Sequence, residues 1–500
     1  MSLLTRAEET KYQETSRHAD VMRFVAALEE EGDPRLAVTT FGTSPQGRDL
    51  PLLILSTKGV WTPREAREAG QPVVLVINGI HAGEVEGKEA SLMLIRDLLA
   101  DRHAEILEHL ILLVVPLFNP DGNDRIDPAN RKLDLAKLEG QIGPDSGVGT
   151  RVNASGINLN RDYVRHDSLE MRLLQTHVCH PWEPHLTIDC HSTNGSVHRF
   201  ALTYDIPHTV ESGRAEPIAF MRDRVLPEVR ARLKKRTGID TFYYGNFVAD
   251  EGGSGSGWMT YPHHPRFGSN YRGLTNRLDL LLETYSYQPF PDRVRTTYEF
   301  LVETLDWVAG HAPEVLSVVN ASQAPPSRIA VRYRLDSHET PVEILTREPR
   351  TLEGTPTQVD IPHFARFVGT EVVDRPWGYV VSDEMADRLA AHGLLVERLD
   401  GDADATLEIA TVARADTHGA RKILEASEET EYNAHYRAAT RRLPTGTAVV
   451  RTDQPRGAIA VYLCEARSDD GALVNGFTPI GADGEFPIYR LLASLPLKGT

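Results

Sequence analysis

The sequence predicts an α/β protein, with a largely parallel sheet covered by helices, followed by a smaller α+β domain. Continuous apolar runs rich in Val, Ile and Leu, typical of strands buried on both faces, occur at 72–80, 110–118, 185–190 and 278–284. Helical patterns alternate with these runs at 86–99, 168–180 and 213–235. Alternation of this kind indicates an α/β sandwich.

The first elements precede these buried strands. Apolar residues at helical spacing predict a helix within 16–30. Two short apolar runs on either side of the turn-forming segment 44–47 predict a β-hairpin. The chain therefore enters the sheet through a helix and a hairpin.

A segment without hydrophobic periodicity marks the predicted domain boundary. A helical pattern from Arg293 to about Val319 is followed by the polar, Pro-containing stretch 320–327. We therefore expect a first domain at 1–319 and an accessory α+β domain at 328–500. No cluster of catalytic residue types occurs after residue 327.

Two helices of the second domain have recognisable ends. Ser382 suits a helix N-cap because Asp383 and Glu384 follow in the first turn, and Gly393 suits the helix end. Another helix is expected near Pro455, because proline is favoured in a first helical turn.

Composition and charge exclude several classes of protein. The chain has 41% hydrophobic and 25% charged residues, and no apolar run approaches the roughly 18 residues of a membrane span. Its net charge of −17 offers no extended basic surface, so we expect no nucleic-acid partner. Three scattered cysteines argue against a disulfide framework or a cysteine zinc site. The compartment stays open: cytoplasmic, or secreted or periplasmic if a signal segment was removed.

Three residues at predicted strand ends suit a catalytic metal site. His81 and Glu84 follow the strand that ends near Ile80, and three-residue spacing on a first helical turn lets both bind one ion. Such a pair occurs about once by chance in a chain of this length. His191 closes another strand, and a His, Glu, His set leaves one position of a tetrahedral zinc open for water. Asp189, with the same side-chain parity as His191, is expected to orient a ligand.

Other polar residues suit catalysis and substrate binding near that metal. Glu283 ends an apolar strand, where a carboxylate loses hydration and could accept a proton from water beside zinc. A structural salt bridge is the alternative for Glu283. Arg151, Asn160 and Arg161 lie close together in sequence, and guanidinium groups can bind a carboxylate or stabilise an oxyanion.

These elements together resemble the zinc carboxypeptidases of the carboxypeptidase A type over about residues 10–318. The matching elements, in family order, are His81-x-x-Glu84, Asn119-Pro120-Asp121-Gly122, Arg151, Asn158-Leu159-Asn160-Arg161, Asp189-x-His191 and Glu283. The resemblance implies three layers, a mixed sheet of about eight strands, and one zinc per chain at the carboxyl edge of the sheet.

The resemblance also implies a role for each matching residue. His81, Glu84 and His191 would bind zinc, and Glu283 would activate water. Arg151 would polarise the scissile carbonyl, while Asn160 and Arg161 would hold the terminal carboxylate of the substrate.

The family usually places a tyrosine on a mobile loop before the catalytic glutamate. Tyr261 and Tyr271 both qualify, and the Ser-Asn-Tyr-Arg-Gly context favours Tyr271. The glycine-rich run 252–257 is either a flexible lid or a loop without a gating role.

The favoured function is a metallocarboxypeptidase acting on peptides that end in a free carboxylate. An alternative is a zinc deacylase or amidase acting on N-acyl amino acids or cell-wall peptides, like the related succinylglutamate desuccinylase and aspartoacylase group. A third is a zinc-binding module without activity, against which Glu283 argues, because a structural site needs no base. Oligomeric state and side-chain preference stay open.

Overall fold

A mixed β-sheet lies at the centre of the molecule. The computed structural model describes residues 3–248, 257–414 and 432–497. The strands of these residues are numbered in chain order: β1 Leu36–Thr43, β2 Asp49–Leu55, β3 Val73–Asn78, β4 Ile111–Val115, β5 Leu186–Thr193, β6 Leu202–Asp205, β7 Thr241–Tyr243, β8 Asn246–Val248, β9 Gly257–Met259, β10 Leu278–Tyr285, β11 Arg328–Ser337, β12 Val342–Glu348, β13 Thr355–Ile361, β14 His363–Asp374, β15 Gly378–Val381, β16 Val396–Arg398, β17 Ala403–Arg414, β18 Tyr432–Leu443, β19 Ala448–Arg451 and β20 Glu485–Leu491.

Most helices pack around this sheet. They are α1 Arg6–Glu9, α2 His18–Glu30, α3 Pro63–Ala69, α4 Glu86–Leu99, α5 Glu105–His109, α6 Pro120–Asn123, α7 Leu169–Leu174, α8 His180–Trp182, α9 Ala215–Phe220, α10 Leu226–Thr237, α11 Gly268–Gly273, α12 Phe290–Gly310, α13 Ala312–Ala321, α14 Asp383–Ala391 and α15 Gly457–Cys464. Short π-helical turns at Gln175–Cys179 and Met221–Val225 join α7 to α8 and α9 to α10. None of the described helices is long and apolar enough to cross a membrane.

The central sheet has eight strands in the order β1-β2-β4-β3-β5-β10-β6-β7. The neighbours β4-β3, β3-β5, β5-β10 and β6-β7 are parallel, and the other three pairs are antiparallel. The predicted fold class is therefore confirmed: a mixed sheet of eight strands with helices, followed by a further sheet-rich region.

Both faces of the central sheet are buried, which explains its continuous apolar strands. In β3, Val74 and Val76 pack against a core formed largely by helices α2, α4, α10 and α12. Leu75 and Ile77 point to the opposite face, where side chains of 159–182 and of the C-terminal region complete a second core. The sheet is thus the middle of three layers.

The C-terminal region forms further sheets. Six strands pair in the order β16-β19-β15-β20-β17-β18, and β12 pairs with β13. Another sheet, β11-β14-β9-β8, joins strands from both sides of the predicted boundary at 320–327. The division into domains at 1–319 and 328–500 stays a prediction, because strand pairing crosses it.

The ends of helix α14 show where the local sequence was sufficient to predict the structure. Ser382 Oγ accepts a hydrogen bond from the Met385 amide at 3.2 Å, as an N-cap does, and Gly393 follows α14 with φ 74°. The single long helix expected from Arg293 to about Val319 is instead two helices, α12 and α13. Pro313 lies in the first turn of α13, where its missing N–H is tolerated, so it favours a new helix start.

Neutral histidines are buried where the C-terminal region packs on the sheet. The rings of His166 and His392 lie 4.1 Å apart, and both side chains are buried. Burial, together with the nearby His180, lowers the pKa of His166 to about 3. Arg172 and Arg388 also oppose a charge on His166.

We predict that His166 makes the fold sensitive to acid. The unfolded state binds a proton near pH 6.5, whereas folded His166 stays neutral down to about pH 3. Burying neutral His166 therefore costs no stability above pH 6.5, but the free energy of unfolding falls as the pH drops from 6.5 toward 3. Asn is the replacement of choice because His166 has φ 52°, a left-handed backbone conformation that Asn tolerates. The His166→Asn substitution should reduce the loss of unfolding free energy between pH 7.5 and pH 5 by about 1–2 kcal/mol. Urea unfolding of both proteins at both pH values measures this loss, and equal losses would refute the prediction.

Candidate active site

The predicted metal ligands meet at the carboxyl edge of three adjacent parallel strands. His81 and Glu84 follow β3, and His191 lies near the end of β5. In β10, Glu283 is directly opposite His191. Parallel pairing places these strand ends at one edge, so residues distant in sequence face one another.

Two glycines allow the elements to approach this closely. A Cβ on Gly87, in the first turn of α4, would lie 2.5 Å from the Cβ of Cys190 in β5. A Cβ on Gly83 would lie 2.7 Å from Cδ of Arg131. A larger residue at position 87 would push α4 away from β5, and one at position 83 would push Arg131 away from Glu84.

The ligand atoms of His81, Glu84 and His191 converge on one point. His81 Nδ1 lies 3.1 Å from Glu84 Oε1 and 3.2 Å from His191 Nδ1. Glu84 Oε2 lies 2.9 Å from His191 Nδ1. Two imidazole nitrogens facing each other beside a carboxylate form a donor set that suits zinc. The three side chains are buried.

Burial and neighbouring charges shift the pKa of each member of this cluster. Burial lowers the pKa of His81 to about 4, despite the attraction of Glu84. Burial also opposes a charge on His191, but Asp189 and Glu84 raise its pKa well above the usual range. Glu84 stays ionised, because His81 and Arg131 outweigh burial and hold its pKa well below the usual value. The cluster therefore contains a buried carboxylate ready to bind a cation.

Each histidine is held from behind by a polar side chain. Asn158 Oδ1 lies 2.9 Å from His81 Nε2, and Asp189 Oδ1 lies 3.0 Å from His191 Nε2. Asp189 also forms an ion pair with the buried Arg272 at 3.0 Å. Both ring orientations are therefore defined by groups outside the cluster.

Glu283 lies in the wall of a cavity of about 600 Å³ beside the cluster. Burial raises the pKa of its carboxyl, His191 opposes the rise, and Glu84 adds to it. A carboxylate with a raised pKa is a stronger base than one in water.

The predicted substrate-binding residues line the same cavity. Arg151 Nη1 lies 3.2 Å from His81 Nδ1, and its side chain is 38% exposed. Asn160 Oδ1 accepts a hydrogen bond from the Gly268 amide at 2.9 Å. The guanidinium of Arg161 stacks on the ring of Phe267 at 3.8 Å. The structure therefore brings these three residues to one side of the metal ligands.

The structure places Tyr261 and Tyr271 differently, and which of them is the active-site tyrosine stays a prediction. Tyr271 is buried in α11, and its hydroxyl bonds to His392 Nδ1 at 2.7 Å, outside the cavity. Tyr261 lines the cavity and packs against Phe267. Local sequence context did not reveal on which side of the segment each ring lies. Of the predicted glycine-rich lid at 252–257, residues 252–256 lie outside the described residues, and Gly257 begins β9.

Sequence reasoning missed Arg131, which contacts the cluster directly. Its Nη1 donates to Glu84 Oε1 at 2.9 Å. Arg131 lies in the irregular segment between α6 and Arg151, and no motif or periodicity distinguishes it. Its proximity to Glu84 depends on the path of that segment over the strand ends.

Comparison with known proteins gives a family match that agrees with this geometry. Residues 21–194 match the zinc carboxypeptidase family, a range that includes the three clustered ligands and ends before Glu283. The chain is 22% identical over 468 residues to carboxypeptidase 2 of Trichophyton equinum, covering 90% of this chain and 81% of that protein.

Solved metallo-carboxypeptidases also align with part of the chain. The Pseudomonas aeruginosa enzyme in complex with (2-guanidinoethylmercapto)succinic acid is 21% identical, with a TM-score of 0.40 and coverage of 59% of this chain and 69% of that one. The Burkholderia cenocepacia enzyme is 19% identical, with a TM-score of 0.40 and coverage of 58% and 68%. The family match identifies a zinc carboxypeptidase domain at residues 21–194, and together with the curated relatives it indicates a metallocarboxypeptidase, a hydrolase.

Proposed function

We propose that the chain binds one zinc ion through His81, Glu84 and His191 and removes C-terminal residues from peptides. The observation that carries this proposal is the convergence of these ligands beside a cavity lined by Glu283 and Arg151. Two imidazoles and one carboxylate leave a coordination position open, as catalytic zinc sites do. When bound, zinc supplies Lewis acidity that polarises a carbonyl and makes water a nucleophile at neutral pH.

Four side chains carry out the proton transfer, the oxyanion stabilisation and the substrate binding. Glu283 accepts the proton of the attacking water and passes it to the leaving amine. Arg151 donates hydrogen bonds to the carbonyl oxygen, where negative charge develops during attack. Asn160 and Arg161 bind the terminal carboxylate and so select the last peptide bond.

We predict that Glu283→Gln abolishes turnover and retains the metal. The amide has nearly the same shape but accepts no proton at neutral pH, so the rate should fall by about 10²–10⁴-fold. Zinc-loaded protein, chelated protein and the variant are incubated with a mixed peptide library and followed by mass spectrometry. Stepwise loss of single C-terminal residues is expected only from the zinc-loaded wild type. If peptides stay intact while N-acyl amino acids are cleaved, the deacylase alternative replaces this proposal.

We predict that Arg161 discriminates a free C-terminus from an amidated one. The Arg161→Gln substitution removes a charge-assisted contact with the substrate carboxylate. It should reduce kcat/KM for free-acid peptides by roughly 10–100-fold, a loss of about 1.5–3 kcal/mol. The same peptides with a C-terminal amide provide the control, since they lack the carboxylate and should be affected little. Equal losses on both substrates would show that Arg161 acts on something other than the carboxylate.

We predict that Tyr261, rather than Tyr271, assists the reaction. Burial raises the pKa of the Tyr261 phenol well above its usual range, so it is a neutral hydrogen-bond donor in the cavity wall. Tyr261→Phe should reduce kcat/KM by about 10-fold, the loss of one hydrogen bond of about 1.4 kcal/mol. Tyr271→Phe is the matched control: it should keep kcat/KM and lose only stability through the bond to His392. The opposite pattern would restore the preference for Tyr271.

A further inference from the structure

Arg131 forms four hydrogen bonds around the metal-ligand cluster. Its Nη1 donates to Glu84 Oε1 at 2.9 Å, and its Nε donates to Gln141 Oε1 at 2.8 Å. Its Nη2 donates to the carbonyl of Ser192 and to Ser286 Oγ, both at 3.2 Å. The guanidinium therefore contacts one metal ligand directly and two strands that carry other site residues.

The positions of those two strands are informative. Ser192 directly follows His191 in β5, and Ser286 comes three residues after Glu283, just beyond β10. One rigid, planar group thus joins Glu84 to the strand ends that hold the third ligand and the base. A lysine could not reproduce this pattern, because its ammonium group is a single point rather than a fork.

With Arg131, both oxygens of the Glu84 carboxylate accept a hydrogen bond from the protein. Glu84 Oε2 accepts a hydrogen bond from the Ser192 amide at 3.1 Å, so that oxygen is already held. Arg131 holds Oε1 from the other side, which leaves the carboxylate little freedom to rotate. Gly83 makes room for this contact, because a Cβ there would collide with Arg131 Cδ.

Arg151 does not duplicate this contact. Its Nη1 lies 3.5 Å from Glu84 Oε1, compared with 2.9 Å for Arg131. Its side chain is 38% exposed, and that of Arg131 only 16%. Both arginines line the cavity, but Arg131 is the more buried of the two and lies closer to Glu84.

We infer that Arg131 is a positioning residue that sets the geometry and affinity of the metal site by fixing Glu84 against the ends of β5 and β10. The inference rests on the proposed zinc site. Groups that orient metal ligands typically contribute 10–100-fold to metal affinity. Arg131 acts through Glu84 and makes no contact with substrate in this role.

The test measures metal binding rather than turnover. Zinc affinity is determined by competition with a chromophoric chelator for the wild type, Arg131→Met and Arg131→Lys. Arg125→Met, in the same segment but exposed, is the matched control. We expect Arg131→Met to weaken zinc binding about 10–100-fold, Arg131→Lys to recover part of the loss, and Arg125→Met to match the wild type.

A spectroscopic measurement separates positioning from general destabilisation. The visible spectrum of the cobalt-substituted protein reports ligand geometry and should change in both Arg131 variants but not in Arg125→Met. Wild-type zinc affinity and an unchanged spectrum in Arg131→Met would overturn the inference. If Arg131→Met does not fold, an unchanged affinity and spectrum in Arg131→Lys would do the same. Failure of the wild type to bind zinc would instead overturn the proposed site itself.

Discussion

The active site depends on the parallel pairing of β3, β5 and β10. Pairing aligns Ile77 with Asp189 and Glu283 with His191, so all the chemistry lies at one edge and on one face. A register shift of one residue would turn Glu283 toward the opposite core. Because these strands are apolar on both faces, the polar residues Asp189, His191 and Glu283 near their ends, and not the apolar runs, distinguish one face from the other.

The second constraint is electrostatic. Glu84 is a buried carboxylate, and burying a charge is costly unless it is paired and hydrogen-bonded. Arg131, His191 and the Ser192 amide supply the required partners. Glu283 lies near these charges as well. Burial raises its pKa, and the negative charge of Glu84 adds to the rise. The arrangement that keeps the buried Glu84 carboxylate ionised therefore also raises the pKa of Glu283.

The sequence was sufficient where local pattern determines structure. Apolar runs predicted the central strands, and polar residues at their ends predicted which side chains meet at the cluster. It was insufficient where the outcome depends on packing between distant segments. Arg131 comes from an irregular segment, and Arg272 reaches Asp189 across 83 residues. Local context favoured Tyr271 over Tyr261, but which ring faces the cavity depends on contacts with the C-terminal region.

Those contacts give the C-terminal region a structural part in the site. β14 pairs with β9 immediately before Tyr261, His263 bonds to Asp469 at 2.7 Å, and Arg266 pairs with Asp470 at 2.8 Å. The segment that carries these anchors supplies Tyr261 and Phe267 to the cavity wall. The predicted boundary at 320–327 separates the two regions in sequence, but strand pairing and ion pairs join them in space. Because residues after 327 hold one wall of the cavity, the shape available to substrate is determined by both regions together.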